Sequence, residues 1–385
     1  MRPLQARIDL DALRDNYRLA CERAPGASAM AVLKANAYGH GAVSCARALA
    51  PLAPAMALAS LEEGRELRAA GIDCPLVLLE GFFEADEIDE AVDNGYWCVL
   101  HSHWQVEALL VALRARPGRR PPVLIKCDSG MHRLGFFPDE ARSVCRRLMA
   151  HPDVGRCTLM THFATADTAD DAQLRHQMAV VEALRVDLDM PACFANSPAT
   201  LSAPRSHAEW VRPGIMLYGA NPLERDHPDH DRFASRLRPV MTLESRVIAV
   251  RELGVGEPVG YGARFVTERP TRVGVVACGY GDGYDRHAPD GTPVLVNGQR
   301  TGLIGRISMD MLTVDLSDIP GADVGARVTL WGRDENGGHL AVDEVARWCD
   351  TIPYTLLTGV LPRVPRRYYH HHDDEHGGDD SSRTP

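Results

Sequence analysis

The chain reads as an α/β protein: an N-terminal (β/α)8 barrel followed by a mostly β domain. Three observations predict this. Eight short apolar runs occur at residues 30–33, 56–59, 76–79, 97–100, 123–125, 158–160, 192–194 and 215–218. Segments of helical periodicity lie between most of them. After about residue 235 the pattern changes to alternating stretches broken by Gly, Asn and Asp turns.

Runs that are apolar throughout suit parallel strands buried on both faces by intervening helices. An open doubly wound sheet is the rival arrangement, but eight units favour a closed barrel. The helical segments include LEEGRELRAAG, EADEIDEAVDNG, HWQVEALLVALRA and PDEARSVCRRLMA. The later stretches VMTLESRVIAVREL, TRVGVVACG, TPVLVNGQRTGLIGRISMDMLTVDL and ARVTLWG read as antiparallel strands, and VDEVARWCD adds a helix. The expected boundaries are a barrel over residues 1–235, with residues 1–10 open to packing with the β domain, a β domain over 236–368, and a disordered polar tail over 369–385.

The formal charge is −10, partly from the DDEHGGDD stretch near the C-terminus, so there is no basic stripe of a nucleic-acid binder. The ten cysteines form no C-x-x-C pair, and many sit inside apolar runs. They suit a reducing compartment better than a disulfide framework, and no metal is implied. The opening MRPLQARIDLDAL lacks a signal-peptide core, and no apolar run is long enough for a membrane span. A soluble cytoplasmic protein is expected.

Candidate chemistry lies where barrel strands end, because active groups gather at that rim. AVLKANAYGHG puts Lys34 at the exit of the first run. Such a lysine either marks the strand's passage into water or, semi-buried, forms a Schiff base. Lys126 and Arg133 follow the fifth run, Thr161 and His162 the sixth, Asn196 and Ser197 the seventh; Arg212 and Gly214 precede the eighth. Ser197-Pro198 reads as a helix cap followed by proline at the first helical position. Basic groups and donors on one rim point to an anionic ligand. A Schiff-base lysine with a phosphate site points to pyridoxal phosphate.

The chain resembles the bacterial alanine racemases, fold-type-III pyridoxal-phosphate enzymes. The likeness runs from about residue 2 to 368 and rests on AVLKANAYGHG, KCDSGMHRLGF, THFATAD, RPGIMLYG, VGYGARF, GYGDGYDR, GRISMDM and LLTGVLPRVPR, in that order. The resemblance implies that Lys34 carries pyridoxal 5'-phosphate. Tyr38, Ser197, Gly214, Ile215 and Tyr354 would surround the phosphate, His162 the ring, and Arg212 the pyridine nitrogen. Tyr261 would be the second catalytic base. Arg133 and Met309 would hold the substrate, and Lys126 is a candidate for carbamylation. The resemblance also implies a homodimer in which Tyr261 and Met309 serve the other subunit's site. On sequence alone, Tyr261 reads as a turn aromatic, Met309 as core filler and Lys126 as an ion-pair partner. Tyr280 and Tyr284 read either as an entrance lining or as part of a Gly-rich turn.

The activity implied is interconversion of L-alanine and D-alanine by two bases acting on an external aldimine of the coenzyme. A racemase for serine or several amino acids would differ only in its pocket. A decarboxylase of the same plan would usually set an acid where Arg212 stands. A non-catalytic coenzyme carrier would lack the domain that holds Tyr261. D-alanine would enter cell-wall synthesis, or be consumed catabolically.

Overall fold

The structure is a computed structural model and describes residues 2–370. The chain divides into two units: Arg14–Ala37 with Ala42–Leu237, and the described parts of Met1–Leu13, Tyr38–Gly41 and Arg238–Pro385. Strand β1 (Gln5–Asp9) opens the second of these, and helix Leu10–Arg23 follows it. Asp9 Oδ1 caps that helix by accepting from the Ala12 N–H at 2.8 Å.

The first unit is a closed barrel of eight strands: β2 (Ser28–Val32), β3 (Ala55–Leu58), β4 (Leu76–Leu78), β5 (Trp97–Leu100), β6 (Val123–Lys126), β7 (Cys157–Met160), β8 (Ala192–Cys193) and β9 (Trp210–Val211). Every neighbouring pair is parallel, and Ser28 opposite Trp210 closes the ring. Nearly every strand residue is buried, which explains why these strands read as unbroken apolar runs. The connecting helices are amphipathic. In Pro138–Met149, Ala141, Val144, Cys145 and Leu148 form the buried stripe at spacings of three and four.

The eighth strand is not where the sequence pattern put it. Residues 215–218 form a 3-10 helix, Ile215–Tyr218, and the strand is the shorter Trp210–Val211. Pro213 has no N–H to give a ladder. The 215–218 run is nonetheless wholly buried, and an apolar run buried all round looks the same in sequence whether strand or helix. The Tyr218 hydroxyl donates to the Val32 carbonyl at 2.8 Å, tying this helix to the end of β2.

The second unit is built on a nine-stranded sheet among the described residues. Its remaining strands begin with β10 (Met241–Leu253), β11 (Pro258–Val259), β12 (Phe265–Val266), β13 (Thr271–Val276) and β14 (Pro293–Val296). They continue with β15 (Gln299–Gly302), β16 (Leu312–Asp315), β17 (Arg327–Arg333), β18 (His339–Leu340) and β19 (Arg366–Tyr369). The long β10 pairs with β1 and β17 over its first half and with β13 over its second, with an irregularity between Val247 and Ala249. Strands β11 and β12 form a separate ribbon. Strand β1 sits between β10 and β19. Tyr369 ends β19, and His370 contacts Asp11 at 2.9 Å, so the order extends past residue 368. Residues 371–385, most of the expected disordered tail, lie outside the described residues.

Trp331 anchors the core of this unit. It is fully buried and stacks on Tyr284 with ring centres 5.9 Å apart. Trp331→Ala should lower the unfolding free energy by about 3–5 kcal/mol, as large aromatic truncations do. A urea titration followed by tyrosine and tryptophan fluorescence would show this as a lower midpoint for the β unit.

Candidate active site at the barrel rim

The C-terminal ends of the barrel strands carry the chemistry. Lys34 stands two residues past β2, half-buried. The end of β2 is held on both sides: the Leu33 N–H donates to the Ala57 carbonyl at 2.8 Å and the Val32 N–H to the Pro213 carbonyl at 3.0 Å. After Lys34 the backbone turns left-handed. Ala35, Asn36, Ala37 and Tyr38 have φ of 54°, 54°, 52° and 51°. For residues with a Cβ this costs roughly 1–2 kcal/mol each, so the turn needs external support. The Ala37 N–H reaches the Leu33 carbonyl at 2.8 Å, and Asn36 Oδ1 accepts from the Ala42 N–H at 2.7 Å. Glu63 adds two more bonds, from the Ala35 N–H (2.6 Å) and the Ala59 N–H (2.8 Å).

Arg212 follows β9 directly and is 4% exposed. Its guanidinium donates to the carbonyls of Cys193 (2.6 Å), Thr161 (2.7 Å) and Phe194 (3.3 Å) and to His162 Nδ1 (3.3 Å). None of these partners is a carboxylate. Guanidinium nitrogens only donate, so Nδ1 of His162 must accept, and the ring's proton resides on Nε2. Burial, then the cations Arg212, Lys126, Arg133 and Lys34, hold His162 well below the ordinary histidine range.

Lys126, the last residue of β6, is 6% exposed. Desolvation and then the charges of Arg212, Arg133 and Lys34 push its ammonium down to about 8, with Glu80 pulling weakly the other way. Lys126 forms no ion pair among the described residues, although Glu80 acts on it. Arg133 is exposed on the loop after β6. That loop is pinched by Asp128–Phe136 and Phe136–Lys126 backbone bonds and wound around Asp128 Oδ1, which accepts from Gly130, Met131 and His132.

The Ser197 hydroxyl accepts from the Gly214 N–H at 2.7 Å and from the Met216 N–H at 3.5 Å, joining the loops after β8 and β9 beside Ile215. Ser197 is not the helix cap. Asn196 caps, its Oδ1 accepting from the Ala199 N–H at 3.3 Å, which leaves Ser197 as the first helical residue and free to turn toward Gly214. Lys34, Lys126, Arg133, His162, Ser197, Arg212, Gly214 and Ile215 thus all belong to the loops and strand ends of one rim.

The other expected residues belong to the second unit. Tyr38 and Tyr354 have ring centres 5.9 Å apart, and burial pushes the Tyr38 phenol up to about 12, so it stays a donor. Tyr261 lies in a turn between Gly260 and Gly262, 68% exposed. Met309 is 53% exposed and so is not core filler. A bridge between Gly260 and Arg306 sets the Tyr261 turn near the segment leading to Met309, and the Gly281 N–H donates to the Met309 carbonyl at 2.8 Å. Tyr284 is buried beneath Trp331 and lines no entrance, whereas Tyr280 is partly exposed.

Four polar residues escaped the sequence reading. Glu80 and His101 lie just past β4 and β5, and position alone could have found them. Glu63 looked like an ordinary acid in a helix's first turn. Gln177, wholly buried, shares the stripe of Val181, Leu184 and Leu188 in helix Ala172–Leu188. Its amide donates to Ser129 Oγ (3.2 Å) and the His162 carbonyl (3.1 Å) and accepts from the Ala164 N–H (2.9 Å). It therefore fixes the His162 backbone to the loop after β6.

The rim's donor set fits a phosphate-bearing, amine-reactive coenzyme. It offers a lysine at a strand exit, a buried arginine set only among neutral acceptors, and the Ser197 hydroxyl, which accepts from loop N–H groups and has its own proton to give. Models of the alanine racemase N-terminal and C-terminal domains match residues 8–222 and 240–368. An alanine racemase of Chromohalobacter salexigens is 58% identical over 369 residues, 95% of this chain and 98% of that one. The crystal structure of the biosynthetic alanine racemase of Pseudomonas aeruginosa superposes with a TM-score of 0.89 at 48% identity, covering 96% of this chain and all of the other. The Bartonella henselae alanine racemase, solved with covalently bound pyridoxal phosphate, gives 0.85 at 29% identity over 96% of this chain and 100% of its own.

His162 should remain a neutral Nε2–H imidazole through the range near ~6.5 where ordinary histidines charge. The folded state refuses a proton that the unfolded chain accepts there, so this residue withdraws stability as the pH falls through that value. Imidazole nitrogen shifts across a pH titration would establish it, and Arg212→Gln should move the titration upward.

Proposed function

The chain belongs to the alanine racemase family and interconverts the enantiomers of alanine; we propose that Lys34 and Tyr261 of the partner subunit are its two bases. The observation that carries this is Lys34 at the exit of β2, on a rim rich in cations. When bound, pyridoxal 5'-phosphate supplies an electron sink that acidifies the substrate's Cα–H. Lys34 would hold it covalently, and Ser197, Gly214 and Ile215 would receive its phosphate. Arg212 is a pure donor, so a ring nitrogen set against it is kept an acceptor and receives no proton. That weakens the sink and favours return of the proton to Cα over side reactions. Lys34 Nζ exchanges the Cα proton on the face that yields D-alanine. The Tyr261 hydroxyl of the partner subunit exchanges it on the opposite face.

A shared site explains two exposed side chains. Tyr261 and Met309 stand in water although neither residue type prefers it, and a homodimer that buries them would complete each site. None of the described helices is long and apolar enough to cross a membrane. The ten free thiols suit a reducing cytoplasm. The product D-alanine suits cell-wall precursor synthesis.

Lys126 is the candidate for carbamylation. With its ammonium lowered to about 8, about a tenth of it is neutral at pH 7, against well under a thousandth for an ordinary lysine. The neutral amine adds to carbon dioxide, forming an N–C bond and releasing one proton. The carbamate sets an anion among Arg133, Arg212 and Lys34 and would steady Arg133 for the substrate carboxylate.

Lys34→Ala and Tyr261→Phe should each abolish conversion of L-alanine to D-alanine in a chiral assay. Mixing the two inactive proteins should restore about one working site per heterodimer. No recovery after demonstrated subunit exchange would exclude the shared site. Carbon-13 bicarbonate should give a carbamate signal that grows between about pH 6 and about pH 8.5, because the reactive form is the deprotonated amine. Lys126→Ala should lack it.

A further inference from the structure

We infer that Glu63 is a positioning residue for the reaction: its carboxylate ties the peptide that follows Lys34 to the exit of β3 and so fixes where the Lys34 amine stands. The inference rests on the assignment of Lys34 as the catalytic lysine. Its evidence is separate. One oxygen accepts from the Ala35 N–H at 2.6 Å and the other from the Ala59 N–H at 2.8 Å. These donors belong to two different strand exits, so a single side chain spans both.

The location explains the choice of residue. Glu63 is the third residue of helix Leu61–Ala69, where a glutamate ordinarily turns back to cap the backbone N–H at its own helix start. Here one oxygen stays close to home, on Ala59. The other is spent on Ala35, the first left-handed residue after Lys34. The first turn of a helix favours an ionised carboxylate, and charge-assisted bonds to N–H groups are shorter and stronger than neutral ones. Ala35 is also the one residue of the strained turn that adjoins Lys34. Without this bond, the N–H of the peptide joining them loses its carboxylate acceptor, and the strained turn can relax toward ordinary backbone angles. The lysine's Cα would shift with it. Displacements on the scale of ~1 Å in a reacting group cost up to about a hundredfold in rate.

Neither neighbour can substitute. Glu62 belongs to the same turn but its bonds stay with Ser60 and its own backbone. Asn36 supports the far side of the turn through Ala42 and leaves the Ala35 N–H untouched. A glutamine at position 63 keeps shape and volume but offers one acceptor for two donors, and its NH2 group would face an N–H. An aspartate is one methylene too short to reach both loops.

The test compares Glu63→Gln, Glu63→Asp and the control Glu62→Gln in the full-length holoenzyme. Hydrogen exchange of the Ala35 and Ala59 amides and steady-state racemisation are measured together. Glu63→Gln should lower kcat about tenfold with KM for alanine changed less than about twofold, and speed exchange at Ala35 or Ala59 at least about tenfold. Exchange elsewhere in the barrel strands should be unchanged. Glu63→Asp should do the same or worse, and Glu62→Gln should do neither. Loss of local protection with kcat intact would overturn the inference, as would a uniform rise in exchange across the barrel, which would mark Glu63 as a general stabiliser. Should Lys34 prove not to be catalytic, its own alanine variant would retain activity, whereas failure here leaves that variant inactive.

Discussion

Like charges crowded at one barrel rim govern the rest of this protein. Lys126 is under the influence of Arg212, Arg133 and Lys34 at once, and His162 feels the same group together with Lys126. Of the groups acting on Lys126, Glu80 alone pulls the other way. In a medium of low dielectric such crowding is costly. A folded chain has three ways out: neutral acceptors around the permanent cations, loss of a proton from the titratable ones, and an anionic ligand. The rim uses the first two already. Arg212 is wrapped in carbonyl oxygens, His162 is neutral, and the Lys126 ammonium is weakened. What remains is an attraction for anions, which the phosphate and substrate carboxylate of the proposed site would satisfy.

The barrel makes this solution available. In a closed parallel barrel all strands end on the same rim, where carbonyls at and just past the last ladder bonds can turn to side chains. Thr161, Cys193 and Phe194 lend theirs to Arg212, and the Cys193 carbonyl also accepts from the Thr161 N–H at 3.4 Å. The arginine is therefore held by backbone that cannot be protonated, and its charge is never neutralised by a carboxylate. Gln177 completes the frame by satisfying the His162 carbonyl and the Ala164 N–H from a helix behind the rim. Position and charge are thus fixed by separate groups: backbone and amide for position, guanidinium for charge.

How much of this the sequence discloses depends on the physics of each part. Seven barrel strands are visible because their burial on both faces leaves unbroken apolar runs. The eighth is missed because Trp210–Val211 is only two residues long and a longer buried run follows it. Lys34, Lys126, His162 and Arg212 are visible because charged residues at strand ends are out of place in a core. Glu63 and Gln177 are invisible for the opposite reason. A glutamate in a helix's first turn is expected anywhere, and a glutamine among apolar positions has no distinctive spacing. Their importance lies in the distant loops they join, and those contacts exist only once the barrel has closed. The sequence suggests Ser197 as the helix cap, but Asn196 next to it caps instead and the Ser197 hydroxyl accepts from the Gly214 N–H.

The turn after Lys34 shows why such joins matter. Glycine would enter four successive left-handed residues without strain, yet the chain has Ala, Asn, Ala and Tyr there. A glycine turn would be cheap to form and equally cheap to leave, so the preceding lysine would sample many directions. With side chains present, the left-handed state is disfavoured on its own, and the Leu33 carbonyl, Glu63 and the Asn36–Ala42 bond help to impose it. Removing any one support loosens a conformation that nothing local prefers. The lysine's position is therefore tied by hydrogen bonds to the barrel exits on either side of the turn. In the role proposed for Lys34, holding a coenzyme and exchanging a proton at Cα in turn, the amine would need freedom in its four-carbon stem and none in its Cα. A strained, multiply tied backbone beneath a flexible side chain meets both requirements.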